Sequence, residues 1–292
     1  MRNAIKYSGV ILFFLLLISC AGKTTDEKII SVTIEPQRFF VEKIAGDKFT
    51  VKTVVPNGQS PETYDPTPRQ MQDIGRGVAY FQIGHIGFEQ AWMQNIKDNN
   101  PKVQFFDLSA GMDLLENNEA HDHDHADHGH HHGAVDPHIW SSIDGARAIA
   151  QNILLALLTL DAENAEYYWD NFYLLMEEID TTEMQIIQYL QPLLSRAFII
   201  YHPALTYFAH DFNLTQLCIE LDGKEPSPAQ LKELIDVAVN YNVEVVFVQQ
   251  EFDRKNAELI AKETNCRLVT INPLAYEWAD EMIHIAKSLA NE

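Results

Sequence analysis

Apolar positions along this chain fall into short solid blocks separated by longer stretches where they recur every three or four residues. Ile29 to Ile34, Phe49 to Val55, Val78 to Ile83 and Val103 to Phe106 are blocks of the first kind. Such blocks, bounded by turn formers, read as strands buried on both faces, and their alternation with helical patterns predicts parallel sheets covered on both sides. The rhythm returns later. Strands are predicted at Ala197 to Tyr201, Gln216 to Leu221, Val243 to Val248 and Arg267 to Ile271, and helices at about 204–211, 228–241, 254–264 and 276–290.

Two helical patterns lie between these runs. Ser141 and Asp144 are spaced as a capping box, and Ile143, Ala146, Ile149, Ile153, Leu157 and Leu160 then fall on one face. The next helix, Glu163 to Gln191, carries the stripe Tyr168, Phe172, Leu175, Ile179, Ile186 and Leu190. At its rise per residue it would be roughly 40 Å long, more than one small domain needs, which suits a stiff beam between two lobes. The expected fold class is therefore α/β: two lobes, each a four-stranded parallel sheet flanked by helices, joined by one long rigid helix. The lobes are predicted at 29–160 and 196–292, with the connecting helix at 163–192 and no residue-level repeat between the halves.

The first twenty residues follow another rule. Arg2 and Lys6 precede an apolar run from Val10 to Ile18, too short for the ~20 residues that cross a bilayer, and Ser19 and Cys20 follow. This is the layout of a secretory signal, and Leu17-Ile18-Ser19-Cys20 resembles a bacterial lipobox whose cysteine becomes the lipidated first residue. Residues 21–28 then read as a linker, and no later segment is read as a membrane span. Loss of Arg2 and Lys6 takes the net charge from −21 to about −23, a surface that repels nucleic acid and attracts cations. Cys218 and Cys266 fall on strands predicted to lie apart in one sheet, so two thiols rather than a disulfide are expected.

Residues 117–133 break the rhythm. His121, His123, His125, His128, His130, His131 and His132 are interleaved with Asp122, Asp124 and Asp127, and no apolar side chain there exceeds alanine. A mobile loop that binds zinc, nickel or copper weakly is predicted, suited to capture or sensing.

In open parallel sheets ligands bind beyond the carboxyl ends of the strands. Three metal-capable side chains stand at such ends or on loops feeding them: Glu62 after Val55, His138 in Asp136-Pro137-His138-Ile139-Trp140, and His202 after Tyr201. Each has a proline beside it, which restricts the backbone and lowers the entropy lost when an ion arrives. Two imidazoles and a carboxylate with one open position suit zinc, and manganese or iron less specifically. His85, after the third strand, is a further candidate for the same cleft, whereas His210 and His284 fall on helices and read as surface or core residues.

At these residues the chain resembles the substrate-binding lipoproteins of zinc and manganese ABC importers, over nearly all of the sequence after Cys20. The matching pieces are Tyr64-Asp65-Pro66-Thr67-Pro68, Gly84 to Glu89, Asp136 to Trp140, His202 to Ala209, Gly223 to Pro228 and Asn272-Pro273-Leu274. The resemblance implies two lobes around a metal cleft, His138 and His202 as ligands, a histidine-rich loop marking the zinc branch, and an ABC importer permease as partner. It departs from the family at Glu62, where histidine is usual, and at Asn272, where aspartate is frequent. The fourth ligand is left open among His85, Asn272 and water.

The expectation is a monomeric, non-enzymatic receptor, exported and held by lipid at the periplasm or cell exterior. It would bind Zn(2+), with Mn(2+) as the alternative. A zinc hydrolase would need a general base beside the metal, and no His-Glu-x-x-His helix is present. A metal buffer or adhesin working through the histidine tract is the remaining alternative.

Overall fold

The computed structural model describes residues 28–116, 135–220 and 223–291. Cys20, the linker through Glu27 and the whole histidine tract lie outside the described residues.

The first lobe runs β1 (Ile29–Val32), α1 (Glu35–Ala45), β2 (Thr50–Thr53), α2 (Pro68–Ile74), β3 (Ala79–Gln82), α3 (Gly87–Asn99) and β4 (Gln104–Asp107). Its parallel sheet has the order β2-β1-β3-β4. A connecting pair follows, α4 (Ile143–Leu160) and α5 (Ala165–Leu190). The second lobe runs β5 (Ala197–Ile200), α6 (Thr206–Asp211), β6 (Thr215–Cys218), α7 (Pro228–Asn240), β7 (Val245–Gln249), α8 (Lys255–Thr264), β8 (Arg267–Ile271) and α9 (Trp278–Ala290), with the parallel order β6-β5-β7-β8. In each sheet the chain reverses direction across the two central strands, which opens a crevice at their carboxyl ends.

Burial explains which blocks became central strands. β1, β5 and β7 are buried along their whole length, whereas the edge strands β2 and β4 alternate or lie half exposed. In β5, Phe198 and Ile200 face a core that continues through α4 and α5 into the first lobe, while Ile199 packs into a separate cluster on the far side of the second sheet. The main core therefore crosses the lobe boundary.

The beam is 26 residues, about 39 Å at helical rise. Its buried stripe is Tyr168, Leu175, Ile179, Thr182, Ile186 and Leu190. It packs on α1 and α4 from the first lobe and on α9 from the second. Buried bonds across the seam reinforce it: Trp140 Nε1 donates to the Pro273 carbonyl at 2.9 Å, and Trp278 Nε1 donates to the Trp140 carbonyl at 2.6 Å.

Three readings change in detail. The cap of α4 is Ser142, whose hydroxyl accepts from Gly145 N at 2.9 Å; Ser141 instead donates to the His138 carbonyl at 2.8 Å, because a 3-10 turn at Ile139–Ser141 intervenes before the helix. By length and hydropathy α4 does qualify as a membrane span, but half of it is buried against its neighbours, as a core helix is. The halves also share one local motif. Thr67-Pro68-Arg69-Gln70 and Ser227-Pro228-Ala229-Gln230 form the same capping box at the first helix after the second strand of each sheet. Cys218 and Cys266 are not disulfide-bonded, since two strands separate β6 from β8, about 14 Å at normal strand spacing.

Candidate metal centre

Proline and short hydrogen bonds place each of the three side chains. Pro137 precedes His138, and Asp136 Oδ1 accepts from both the backbone N and the ring Nδ1 of His138, each at 2.8 Å. His202 follows β5, and Gln249 at the end of neighbouring β7 clamps its backbone, donating to the His202 carbonyl at 2.7 Å and accepting from its N–H at 3.3 Å. Its Nδ1 meets Glu220 Oε2 at 2.9 Å, and its ring stacks on Phe252 with centroids 5.2 Å apart. Glu62 stands on the loop after β2, where Gly87 N donates to its Oε2 at 3.0 Å.

One ligand-capable atom each from Glu62, His138 and His202 lies within 4.8 Å of the others. The Nε2 atoms of the two histidines are 3.2 Å apart. With each Nδ1 given to a carboxylate, the two Nε2 atoms face each other across the cleft, a contact that either a shared proton or a metal cation satisfies. Zinc–nitrogen bonds of about 2.0–2.1 Å would set two nitrogens about 3.3 Å apart on a tetrahedron's edge, close to this separation. Among the described residues, Glu62 Oε1 is buried with no hydrogen-bond partner. A bare carboxylate oxygen inside a protein is costly unless a cation or donor meets it.

The charges around the cleft reinforce one another. Burial alone would lower the proton affinity of His138, yet Asp136 at hydrogen-bond distance, with Glu62 and Glu251 beyond, outweighs it and holds the imidazole above its ordinary value. Burial likewise opposes the Asp136 anion, but His138 keeps that carboxyl below the usual range. Burial pushes the Glu251 carboxyl upward against the pull of His202 and His138.

The cleft wall is formed by Glu62, His138, Trp140, His202, Glu251 and Phe252 with small and apolar neighbours. His85 is half-buried and outside that wall, its carbonyl accepting from the Gln90 side chain at 2.7 Å. Asn272 is also outside it, its N–H donating to Glu281 Oε1 at 2.6 Å. Sequence reasoning passed over Glu251, on the turn after β7, and gave no role to Asp136 or Glu220. The rule that selected His202, to look just beyond the carboxyl end of each strand, applies equally to Glu251 after β7; Glu220 falls inside the predicted strand Gln216 to Leu221, and only the earlier end of β6 at Cys218 puts it beyond the sheet. The stem of the histidine tract is among the described residues: Glu116 and Val135 form an antiparallel bridge, so the tract leaves and returns three residues from His138.

A family model described as the periplasmic component A of the zinc-uptake complex, ZnuA, matches residues 30–291. A crystal structure of ZnuA superposes with a TM-score of 0.83 at 36% identity, covering 91% of this chain and 98% of that one. The zinc-binding lipoprotein AdcA of Streptococcus pneumoniae is 26% identical over 89% of this chain, which spans only 53% of AdcA's length. The manganese ABC transporter substrate-binding lipoprotein PsaA of Streptococcus anginosus is 25% identical over 85% of this chain and 82% of its own.

Proposed function

Because the chain belongs to the ZnuA family of periplasmic zinc-uptake components, we propose that it is an extracytoplasmic receptor that binds a divalent transition metal and hands it to an ABC-type importer. Zinc is the favoured cargo and manganese the alternative, as the names of AdcA and PsaA suggest. Its work is binding and delivery, with no covalent chemistry on a substrate. Glu62, His138 and His202 hold the ion. The observation that carries this is the facing pair of Nε2 atoms 3.2 Å apart, each ring braced by a carboxylate on its other nitrogen, with Glu62 beside them. Ligand geometry of this kind is pre-organised, so little entropy is lost on binding.

Export and lipidation at Cys20 complete the reading, on the strength of the signal layout and the lipoprotein names of the relatives. The histidine tract would gather ions at the rim and pass them inward, its stem being anchored beside Asp136. The protein acts as a monomer with a permease partner.

Titration of metal-stripped protein with zinc against a competing chelator tests the reading. One ion per chain is expected, with affinity reduced a hundredfold or more in Glu62→Ala and His202→Ala. Unchanged affinity in both variants would overturn it. Deleting residues 119–133 should leave tight binding in place; loss of all tight binding would favour a buffer built on the tract. Radiolabelled palmitate should label the wild type and not Cys20→Ser.

A further inference from the structure

Three donors leave a four-coordinate ion one ligand short. Among the residues lining the cleft, Glu251 is the remaining side chain with an ionisable donor once Glu62, His138 and His202 are counted. We propose that Glu251 supplies the fourth ligand, making the donor set two imidazoles and two carboxylates, a set that admits manganese(II) beside zinc. This rests on the reading of the other three residues as ligands.

The placement of Glu251 is built into the second sheet. β5 and β7 are its two central strands, hydrogen-bonded to each other and flanking the point where strand order reverses. His202 follows one and Glu251 follows the other, so both emerge at the crevice. The backbone there is tied to His202 on both sides of Glu251. Gln249 clamps the His202 backbone, Phe252 stacks on the His202 ring, and Phe252 N donates to the Gln249 carbonyl at 3.3 Å to close the turn that carries Glu251. Its carboxylate is near enough for the charges of His138 and His202 to act on it. It lies outside the 4.8 Å trio, so it joins the ion by rotating its side chain inward.

The chemistry of the completed set differs from that of an imidazole-rich one. Hard carboxylate oxygens suit manganese(II) better than nitrogen donors do, while zinc accepts either. Removing Glu251 should therefore cost manganese more than zinc.

Zinc and manganese(II) affinities are measured for wild type, Glu251→Gln, Glu251→His, Glu62→Ala and Asp253→Asn, the last controlling for the loss of one nearby exposed charge. Zinc is read by chelator competition, and manganese by loss of the free-ion electron paramagnetic resonance signal. Glu251→Gln is expected to lose tenfold or more for manganese and at most threefold for zinc, with its metal-free melting point unchanged. Glu251→His should recover zinc and not manganese, and Asp253→Asn should match wild type. Wild-type affinities for both metals in Glu251→Gln, or an equal loss for both, would overturn the proposal while Glu62→Ala still abolished binding. Binding retained in Glu62→Ala would instead remove the underlying trio.

Discussion

His138 and His202 each turn one nitrogen to the cleft and hand the other to a carboxylate, Asp136 or Glu220. Such a brace fixes the tautomer, aims the free lone pair and makes the imidazole a stronger donor; its loss typically costs ten- to a hundredfold in metal affinity. Glu220→Gln is expected to weaken zinc binding by about that factor, read by chelator competition, while leaving stoichiometry at one. A second buried carboxyl, Glu89, acts on stability. It accepts hydrogen bonds from Thr33 Oγ1, Ile83 N and Gly84 N. Burial nevertheless pushes it from 4.5 to about 7, with Asp107 adding to the shift and those hydrogen bonds opposing it. A carboxyl raised in the folded state holds a proton that the unfolded chain has released. Its contribution is full below the unfolded value and is lost as pH rises through about 7. The size of the loss is on the order of 3 kcal/mol. Urea unfolding at pH 5 and pH 8 should show wild type losing stability relative to Glu89→Gln at the higher pH. A constant difference would show that Glu89 does not titrate in this range.

Gly87 opens α3 and brings its backbone against Glu62. A methyl group on it would stand 2.3 Å from the Glu62 carbonyl and 2.9 Å from Oε2. Gly87→Ala must therefore move the loop that carries Glu62, and a metal affinity reduced tenfold or more is expected, with the second lobe's fold intact by circular dichroism. The elements themselves were largely legible from periodicity. Buried strands such as β5 and β7 are solid apolar blocks, and the beam shows its stripe over seven turns. The apolar blocks overrun β1 and β5 by one or two residues, because Ile34 and Tyr201 are as buried as their strands although they lie beyond the ladders; Gln216 to Leu221 overruns β6 by three, and the blocks ending at Phe106 and Val248 stop one residue short of β4 and β7. That Glu62, His138 and His202 come together was legible only jointly: each stands beside a proline, His202 just past a strand, Glu62 on the loop after another and His138 just after the histidine tract. Glu251 also stands just past a strand end, but one carboxylate among 42 acidic residues is a weaker mark than a histidine. Only the pairing of β7 with β5 puts it beside His202, and that pairing is a property of the sheet rather than of any local stretch.

The main core runs from Ile30 in the first lobe through α4 and α5 to Phe247 and Trp278 in the second. The lobes share this core, so they should unfold together. Differential scanning calorimetry of metal-stripped protein is expected to give one transition; two well-separated transitions would show that the beam does not couple the halves. Zinc at a thousandfold above its dissociation constant should add about 4 kcal/mol. For a chain of this size that raises the melting point by on the order of 10 °C, and chelation should reverse the gain.

Two indole N–H groups fasten the lobes across a buried seam, Trp140 to Pro273 and Trp278 to Trp140. A receptor that gapes when empty advertises its cargo by its silhouette; one buttoned at the waist keeps nearly the same outline. An importer would have to sense filling through small displacements at the lips of the cleft, around Glu62 and Glu251. Empty copies would then compete with laden ones for the same docking place, so producing more receptor than the available ion can fill would slow uptake rather than speed it.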